Sequence, residues 1–265
     1  MSSIFKYKLS IITLISFSCL IQSCNNQSGN PEGKEQKKII HISEEWVEPP
    51  PDFDTLKLSV ITENNSLGKP IEKLQHSKFD GSVIIRTTWT YDEHGYMTSM
   101  IIDNYEVNQV YEEKFVNEYD EKGRRIRALE KNSNTPGVLE HTYGYFDDGS
   151  YTDTIKLQSE VMSITAYTKD EKVIWGKNFQ QQSEMNTEFD EHGNYTKRQT
   201  TFADGPSTLL TYDNHYDSLG NLVHAILDHR SREYEYNENG DVIREFWLEN
   251  GQPYLKKYFK YKYFE

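Results

Sequence analysis

Apolar and polar residues alternate with a period of two along most of the chain from about residue 56 onward. From Val83 to Tyr91, and again from Tyr111 to Tyr119, apolar and aromatic side chains share one parity. Such alternation is typical of β-strands with one covered face. The last stretch, Phe259–Tyr263, alternates aromatic residues with lysine, which suits a protected edge strand. We therefore predict an all-β fold, an antiparallel meander of repeated β-hairpins forming one curled or twisted sheet.

One sequence motif recurs between the predicted strands. It consists of an aromatic residue, Asp or Asn, a short turn that is mostly polar, Gly, and the start of a new strand. Asp and Asn favour the first position of a type I turn, because the side chain accepts a backbone hydrogen bond from two residues on. Gly three residues later suits the left-handed conformation that closes a hairpin through a bulge. The predicted structural turn residues are Asp92, Gly95, Asp120, Gly123, Asp147, Gly149, Asp190, Gly193, Asp217, Gly220, Asn237 and Gly240.

The turn glycines recur at intervals of about 20 to 28 residues, with one longer gap between Gly149 and Gly193. Such a period is typical of a repeat array in which each unit is two strands and a turn. Tyr167–Ile174 lies midway in the gap, and we interpret it as a copy that has lost its glycine. The copy of the motif around Asn65–Ile71 is degenerate, and the copy at Phe146–Tyr151 is shortened.

The phrase Y-D-x-x-G-x-hydrophobic resembles the YD repeat of the Rhs family, which is shared by bacterial polymorphic toxins, insecticidal toxin-complex shells and teneurins. The resemblance covers roughly residues 60–264 and implies a long, spiralling β-sheet. The family's large shells use many more than the roughly eight repeats found here. We find no core segment with DPxG spacing and no variable toxin domain, so the resemblance implies the architecture and not toxin delivery.

The composition narrows the classes of function. The chain has 19 Tyr, 12 Phe and 4 Trp, which fit packing on a pleated sheet, although an exposed row of Tyr and Trp would stack on sugars. Its net charge is −13, whereas nucleic-acid binding needs a basic surface. We therefore expect no nucleic-acid partner.

The N-terminus has the pattern of a secretory signal peptide. Lys6 and Lys8 precede an apolar run, Leu9–Ile21, that is too short to span a bilayer comfortably. Residues 21–24, Ile-Gln-Ser-Cys, resemble a lipobox of the Bacteroidota lipoprotein type, which implies that Cys24 is lipid-modified and becomes the new N-terminus. Ordinary cleavage, with Cys24 incidental, is the alternative. Since Cys19 lies within the leader, Cys24 is alone and a disulfide framework is excluded.

These features predict three segments. Residues 1–23 form the signal peptide, 24–55 a polar, proline-rich tether, and 56–265 the repeat domain. Apolar groups at Ile39–Ile42 and Trp46–Val47 leave open whether part of the tether docks on the sheet. The tether lacks the acidic pair that marks surface export, so we expect the protein in the cell envelope, anchored to a membrane by its lipid and facing the periplasm.

Residues that could carry chemistry are few. We find no serine elbow, phosphate loop or zinc spacing, and we predict no catalytic residue, metal or cofactor. His94 and His192 occupy the same slot before a turn glycine and are predicted to lie at hairpin tips. His215, His224 and His229 are predicted as sheet positions, with a metal pair as the alternative. Residues 147–153 have closely spaced oxygen ligands but lack the complete loop of a calcium hand.

The sequence favours a lipid-anchored, non-enzymatic β-repeat protein with a structural or binding role toward an unknown protein or glycan. Two alternatives stay open. A glycan-acting enzyme would need a concave pocket with two converging carboxylates. An accessory or immunity partner of an Rhs-type toxin system is suggested by the family resemblance alone.

Overall fold

The computed structural model of the chain describes residues 40–48 and 56–264. These residues form nineteen strands in a single antiparallel sheet, which confirms the predicted all-β meander of hairpins. In chain order the strands are β1 (Ile40–Glu48), β2 (Lys57–Asn64), β3 (Pro70–His76), β4 (Val83–Tyr91), β5 (Met97–Asn104), β6 (Gln109–Tyr119), β7 (Arg125–Asn132), β8 (Leu139–Tyr145), β9 (Tyr151–Leu157), β10 (Glu160–Tyr167), β11 (Val173–Asn178), β12 (Ser183–Phe189), β13 (Tyr195–Phe202), β14 (Thr208–Thr211), β15 (Asp213–Tyr216), β16 (Leu222–Leu227), β17 (Arg230–Tyr236), β18 (Val242–Glu249) and β19 (Gln252–Tyr263).

The sheet closes on itself through its first strand. From β2 onward the meander pairs each strand with its chain neighbours, and β1 lies between β2 and β19. Trp46 of β1 is opposite Leu58 in β2 and Tyr258 in β19. Strands β14 and β15 follow each other along one extended segment, separated only by Tyr212, and pair on opposite sides, β14 with β13 and β15 with β16.

Strand β1 corrects the predicted tether. Residues 40–48 were placed in the tether 24–55 with docking left open, and they form a nine-residue strand. The reason lies in its apolar side chains: Val47 is 2% exposed, the most deeply buried large side chain described. Glu45 and Glu48 also pair with Lys257 and Lys256 of β19, so the strand is held by charge as well as by its backbone.

The two faces of the sheet differ. We call the face that carries the buried Met100, Ala128, Tyr143 and Val173 the inner face. The opposite, outer face carries exposed side chains such as Val116. Few side chains are fully buried, and most of the inner face is half-buried. The fold therefore depends on contacts between neighbouring strands more than on a thick apolar core.

The outer face is lined by cross-strand ion pairs. Arg127 of β7 contacts Glu118 of β6 and Glu140 of β8, each at 2.6 Å. Lys197 and Glu188 make a similar pair at 3.0 Å. Exposed pairs of this kind stabilise a fold little, but they mark the outer face as a surface that contacts water. The described residues include no helix with the length and apolarity needed to cross a membrane.

The strand ends form two rims. We call the rim that holds the repeated Asp-x-x-Gly turns the turn rim, and the opposite one the far rim. Strand β1 begins at the turn rim, because Asn64 Nδ2, next to the first turn, donates to the carbonyl of Ile40 at 3.2 Å. It ends at the far rim, where Glu48 is opposite Lys256.

The turn within Tyr167–Ile174 has the same form as the glycine turns, which confirms that this segment is a copy of the motif without its glycine. Glu171 has φ +62° and occupies the position that glycine holds in the other copies. Its N–H donates to the carbonyl of Thr168 at 3.0 Å, as the glycine N–H does elsewhere. Left-handed backbone strains residues that carry a Cβ, so this turn pays a conformational cost that the glycine copies avoid.

We expect Glu171→Gly to raise the free energy of unfolding by about 1 kcal/mol, because the strain of the left-handed residue is removed. The matched variant is Gly240→Ala, where φ is +76° and an added Cβ meets no atom within 4 Å. It should lower stability by about 1 kcal/mol through backbone strain alone. Urea denaturation followed by circular dichroism measures both changes. An unchanged midpoint in both variants would contradict this explanation of the turns.

Candidate functional site

The predicted turn residues build nearly identical hairpins. In five of the six, one side-chain oxygen of Asp or Asn accepts the N–H groups two and four residues on, as Asp92 Oδ1 does from His94 at 3.1 Å and Tyr96 at 2.9 Å. The glycine N–H donates to the carbonyl of the same Asp or Asn, and the glycine has positive φ. Asp120, Asp190, Asp217 and Asn237 repeat this arrangement.

The second carboxylate oxygen of Asp92 binds the next hairpin. Asn117 Nδ2 donates to Asp92 Oδ2 at 3.0 Å, and the hydroxyl of Tyr119 donates to the same oxygen. Asn117 Nδ2 also reaches the carbonyl of Met97 at 3.1 Å. One carboxylate thus shapes its own turn and holds the strand that enters the following turn.

Asp190 repeats the arrangement in the second half of the chain. Asn214 Nδ2 donates to Asp190 Oδ2 and to the carbonyl of Tyr195, each at 3.0 Å, and the hydroxyl of Tyr216 donates to Asp190 Oδ2. In both places a histidine ring packs against the tyrosine: His94 is tilted against Tyr119 at 4.2 Å, and His192 stacks on Tyr216 at 4.0 Å between centroids. These histidines, predicted at the hairpin tips, join neighbouring turns.

A sequence signal distinguishes the shared carboxylates from the others. We call the tyrosine directly before the first turn position the turn tyrosine. Two places before it stand Asn117 and Asn214 in two of the repeats, and there the tyrosine hydroxyl donates to the Asp of the preceding turn. Tyr91, Tyr145 and Tyr236 have other residues at that position, and their hydroxyls donate to the backbone carbonyls of Pro70, Arg125 and Leu222. The pattern Asn-x-Tyr-Asp would have revealed the sharing, and our sequence reasoning missed it.

Hydrogen bonding shifts the pKa of the shared carboxyl groups. Burial raises the pKa of Asp92, but the hydrogen bonds from Tyr119, the Tyr96 N–H and Asn117 outweigh it, so the pKa lies below its ordinary value. The pKa of Asp190 is lowered in the same way by Tyr216, the Asn194 N–H and Asn214 against the effect of burial. Both side chains are therefore carboxylates at neutral pH.

The shortened copy differs from its prediction. Phe146, and not Asp147, occupies the first turn position, because the N–H of Gly149 donates to the carbonyl of Phe146 at 3.1 Å. The turn tyrosine is Tyr145, opposite Tyr151. Asp148 supplies the side-chain oxygen instead and accepts the N–H of Ser150 at 2.9 Å. The side chain of Phe146 is exposed.

Polar groups also gather on the inner face of strands β6 to β9. We call Glu113, Glu130, His141 and Asp153, with Tyr111, the inner cluster. His141 Nε2 contacts Glu130 Oε2 at 3.0 Å, and Nδ1 contacts Asp153 Oδ2 at 3.0 Å. The register places them together. Ala128 is opposite His141 and Glu130 is opposite Leu139, so all four side chains lie on the inner face. No local pattern marks Glu113, Glu130 or His141 in the sequence, since only the strand register brings them together.

Each ionisable group of the inner cluster that the following bonds involve has a partner within the cluster or beside it. Burial lowers the pKa of His141, but its bonds to Asp153 and Glu130 outweigh this effect and raise it to about 9. Both ring nitrogens face carboxylates, so His141 is an imidazolium that donates to each. Burial raises the pKa of Glu113, whose Oε1 accepts the hydroxyl of Tyr111. Asn132 Nδ2 satisfies the remaining oxygen of Glu130 at 2.6 Å.

The other candidates do not form a metal site. His215 and His224 are opposite each other on neighbouring strands, with centroids 5.7 Å apart, as predicted for sheet positions. His229 lies in the far-rim turn between β16 and β17 and contacts Asp228 and Glu249, which corrects its predicted place in a strand. Asp153, at the end of the calcium candidate, bonds His141. In residues 40–48 and 56–264, no three His, Cys, Asp or Glu side chains are arranged to hold a metal ion. Cys24 lies outside the described residues.

The far rim carries a concentration of exposed apolar side chains. Phe79, Val107, Phe179 and Leu209 are among them. A shallow depression of about 320 Å³ lies between the β11–β12 and β13–β14 turns, with Phe179 and Phe202 at its sides. Lys177 and Glu184 add one charge of each sign to its edge. Such a surface suits contact with another molecule.

The aromatic side chains mostly pack on one another along the inner face. Tyr151 stacks on Tyr167 at 4.9 Å and contacts Tyr145 at 5.6 Å. The side chain of Arg125 lies over the rings of Tyr96 and Tyr143. In the part of the chain that the structure describes, the exposed large hydrophobic side chains include Tyr105 but no Trp. There is accordingly no exposed Tyr and Trp row for stacking on sugars among these residues.

Comparisons with known proteins give fold-level similarities of low score. A porin-like protein from Bacteroides uniformis is 12% identical with a TM-score of 0.40, over 86% of this chain and 99% of that one. The TcdB2-TccC3-Cdc42 structure is 13% identical with a TM-score of 0.30, over 72% of this chain and 10% of that one. The Tc holotoxin pore of Photorhabdus luminescens is 10% identical with a TM-score of 0.23, over 74% and 15%. No protein-family model matches the sequence, and neither does any curated protein.

We expect Asp190→Ala to destabilise the protein by roughly 2 kcal/mol, allowing for its partial exposure, because both its own turn and the strand entering the next turn lose an acceptor. Asp217→Ala is the matched control: Asp217 bonds within its own turn, to Leu219, Asn221 and the Asn221 side chain, and should cost clearly less. Because the pKa of Asp190 is lowered, its contribution should be lost as the pH falls through that pKa. Equal losses for the two variants in urea denaturation at pH 7 would contradict the shared role.

We expect His141→Gln to cost about 3 kcal/mol at pH 7, because Glu130 and Asp153 lose their positive partner in a buried site. The folded-state pKa is raised to about 9, so the stabilisation is complete below the unfolded pKa and is lost as the pH rises through 9. The stability gap between wild type and variant should therefore narrow from pH 7 to pH 10. His215→Gln, at an exposed pair, should show little change. A gap that stays constant to pH 10 would show that His141 acts by packing alone.

Proposed function

We propose that this chain is a lipid-anchored, non-enzymatic protein of the cell envelope, facing the periplasm, whose far rim binds a partner. The observation that carries the proposal is the place where β1 begins. Ile40 lies at the turn rim, and the lipobox cysteine, Cys24, precedes it by sixteen residues. A lipid on Cys24 would tie the turn rim toward the membrane, within about 55 Å at full extension. The far rim then points away from the membrane.

The distribution of exposed apolar side chains supports this orientation. The far rim has Phe79 at 97% exposure and the depression beside Phe179 and Phe202. The turn rim is rich in acidic residues such as Glu93, Glu121 and Glu191. Anionic lipid headgroups repel such a surface, so the turn rim would stand off the bilayer at the length of the tether. A protein partner would meet the apolar far rim first.

A protein partner is favoured over a glycan by the use of the aromatic rings. The hydroxyls of Tyr119 and Tyr216 donate to the turn carboxylates of Asp92 and Asp190, and that of Tyr263 donates to Asp241, which follows a turn glycine. Rings and hydroxyls that hold neighbouring hairpins together are not available to stack on a sugar. Aliphatic side chains such as Val107 and Leu209 on the far rim suit a protein surface.

A glycan-acting enzyme is the second candidate, and the inner cluster is the observation in its favour. Glu113 has a raised pKa and shares the inner face with Glu130, which is the pairing of unlike carboxyl groups that acid catalysis uses. Against it, Glu130 and Asp153 are bound to His141, and Glu113 accepts from Tyr111. An enzyme would lose turnover of a chitooligosaccharide or peptidoglycan substrate in Glu113→Gln, whereas our proposal expects no turnover in the wild type.

The lipid anchor is tested by fractionation of cells that express the full chain. Wild type should sediment with the membranes and take up radiolabelled palmitate, and Cys24→Ala should do neither. Cys19→Ala, at the neighbouring cysteine inside the leader, should behave as wild type. A Cys24→Ala protein that stays in the membrane fraction would overturn the anchoring.

A further inference from the structure

The extended segment that contains β14 and β15 reaches past its neighbour on one side, which leaves β14 with a free edge. Strand β14 pairs with β13 through four residues, with Thr200 opposite Thr208 and Lys197 opposite Thr211. After Tyr212 the same segment continues as β15, which pairs with β16, and the β16–β17 hairpin turns at Asp228. By continuation of that register, Thr211 is level with Asp228, so the β16–β17 hairpin ends before it can cover β14. In the described ranges, no strand pairs with the second side of β14.

The hydrogen bonds show which backbone groups face the free side. The N–H of Tyr212 donates to the carbonyl of Thr196 at 2.8 Å. Residues of an antiparallel pair alternate between bonding the neighbour and facing away. Leu210 and Thr208 therefore bond β13, while the N–H and C=O of Leu209 and Thr211 point to the free side. These groups can accept an added strand without any change in the sheet.

The side chains do nothing to protect this edge. All four residues, Thr208–Thr211, are exposed, and none is charged. Leu209 is 58% exposed. Proteins usually guard an exposed edge with Lys, Pro or a bulge, because it is a template for pairing with another chain. Strand β14 carries only threonine and leucine and has none of these devices.

We propose that β14 accepts an extended segment of a partner protein as an added β-strand, paired with the backbone of Leu209 and Thr211. This inference rests on the binding role proposed above and identifies its site. The added strand would bond the free backbone groups and lay an apolar side chain beside Leu209. Acidic residues lie at both ends of the edge, Asp204 at one and Asp213 and Asp228 at the other. The segment that fits has an apolar centre with Lys or Arg at its ends.

A second copy of this chain fits the edge less well. The same acids would face each other across two paired copies of β14, which is unfavourable. Four residues of edge also bury far less than the roughly 1,200 Å² of a stable interface. A partner segment can be basic and can extend along the far rim toward the β13–β14 turn.

The test is a selection of random heptapeptides displayed on phage against the full chain carrying Cys24→Ala. We expect extended peptides with an apolar centre and basic ends to be enriched. Binding of a synthetic selected peptide should protect the Leu209 and Thr211 amides from hydrogen exchange. Leu209→Pro removes a free N–H at a position where proline is tolerated in an edge strand, and should weaken binding at least tenfold. Leu219→Thr, at an exposed leucine on the turn rim, should bind as wild type.

Several results would overturn the proposal: no enriched peptide, unchanged binding to Leu209→Pro, or protection outside β14. A dimer in sedimentation experiments that Leu209→Pro abolishes would make a second copy the occupant and overturn it as well. Should Leu209→Pro unfold, the exchange pattern of wild type with the peptide still decides. Fractionation of Cys24→Ala does not involve β14, so failure of the anchor and failure of the strand site are separate results.

Discussion

The turn carboxylate that serves two hairpins is the interaction on which the rest of this structure depends. A single sheet layer with few buried side chains gains little from a thick core, so each hairpin must be held by its neighbours. Asp92 and Asp190 do this with one oxygen for their own turn and one for the Asn and Tyr of the next. Hydrogen bonds to a charged acceptor are stronger than those between neutral groups, which suits a place with little apolar burial.

Closure of the sheet is the second constraint. A meander with two free ends would expose the edges of β2 and β19, and β1 covers both. Its burial of Val47 and its pairs with Lys256 and Lys257 tie the first strand to the last. The start of β1 also fixes where the preceding segment leaves the domain. The fold thereby links the direction of the proposed anchor to the rim that faces the partner.

Alternation and the Asp-x-x-Gly turns were sufficient to predict the meander, because both are local properties of the chain. The repeat copy at Tyr167–Ile174, which has lost its glycine, was recognised from spacing alone. Three features depend on contacts between distant residues and escaped prediction: the strand at Ile40–Glu48, the inner cluster around His141, and the free edge of β14. The Asn-x-Tyr-Asp pattern at Asn117 and Asn214 was visible in the sequence. Its meaning depends on knowing that successive turns lie side by side along one rim.

The most direct test of the shared carboxylate is a double-mutant cycle of Asp190→Asn and Tyr216→Phe, measured by urea denaturation at pH 7. The account predicts a coupling free energy of about 1 kcal/mol or more, since the two side chains share a charge-assisted hydrogen bond. The corresponding cycle of Asp217→Asn and Tyr236→Phe should show no coupling, because the Tyr236 hydroxyl donates to the carbonyl of Leu222. Additive effects in the first cycle would contradict the claim that turn carboxylates hold successive hairpins together.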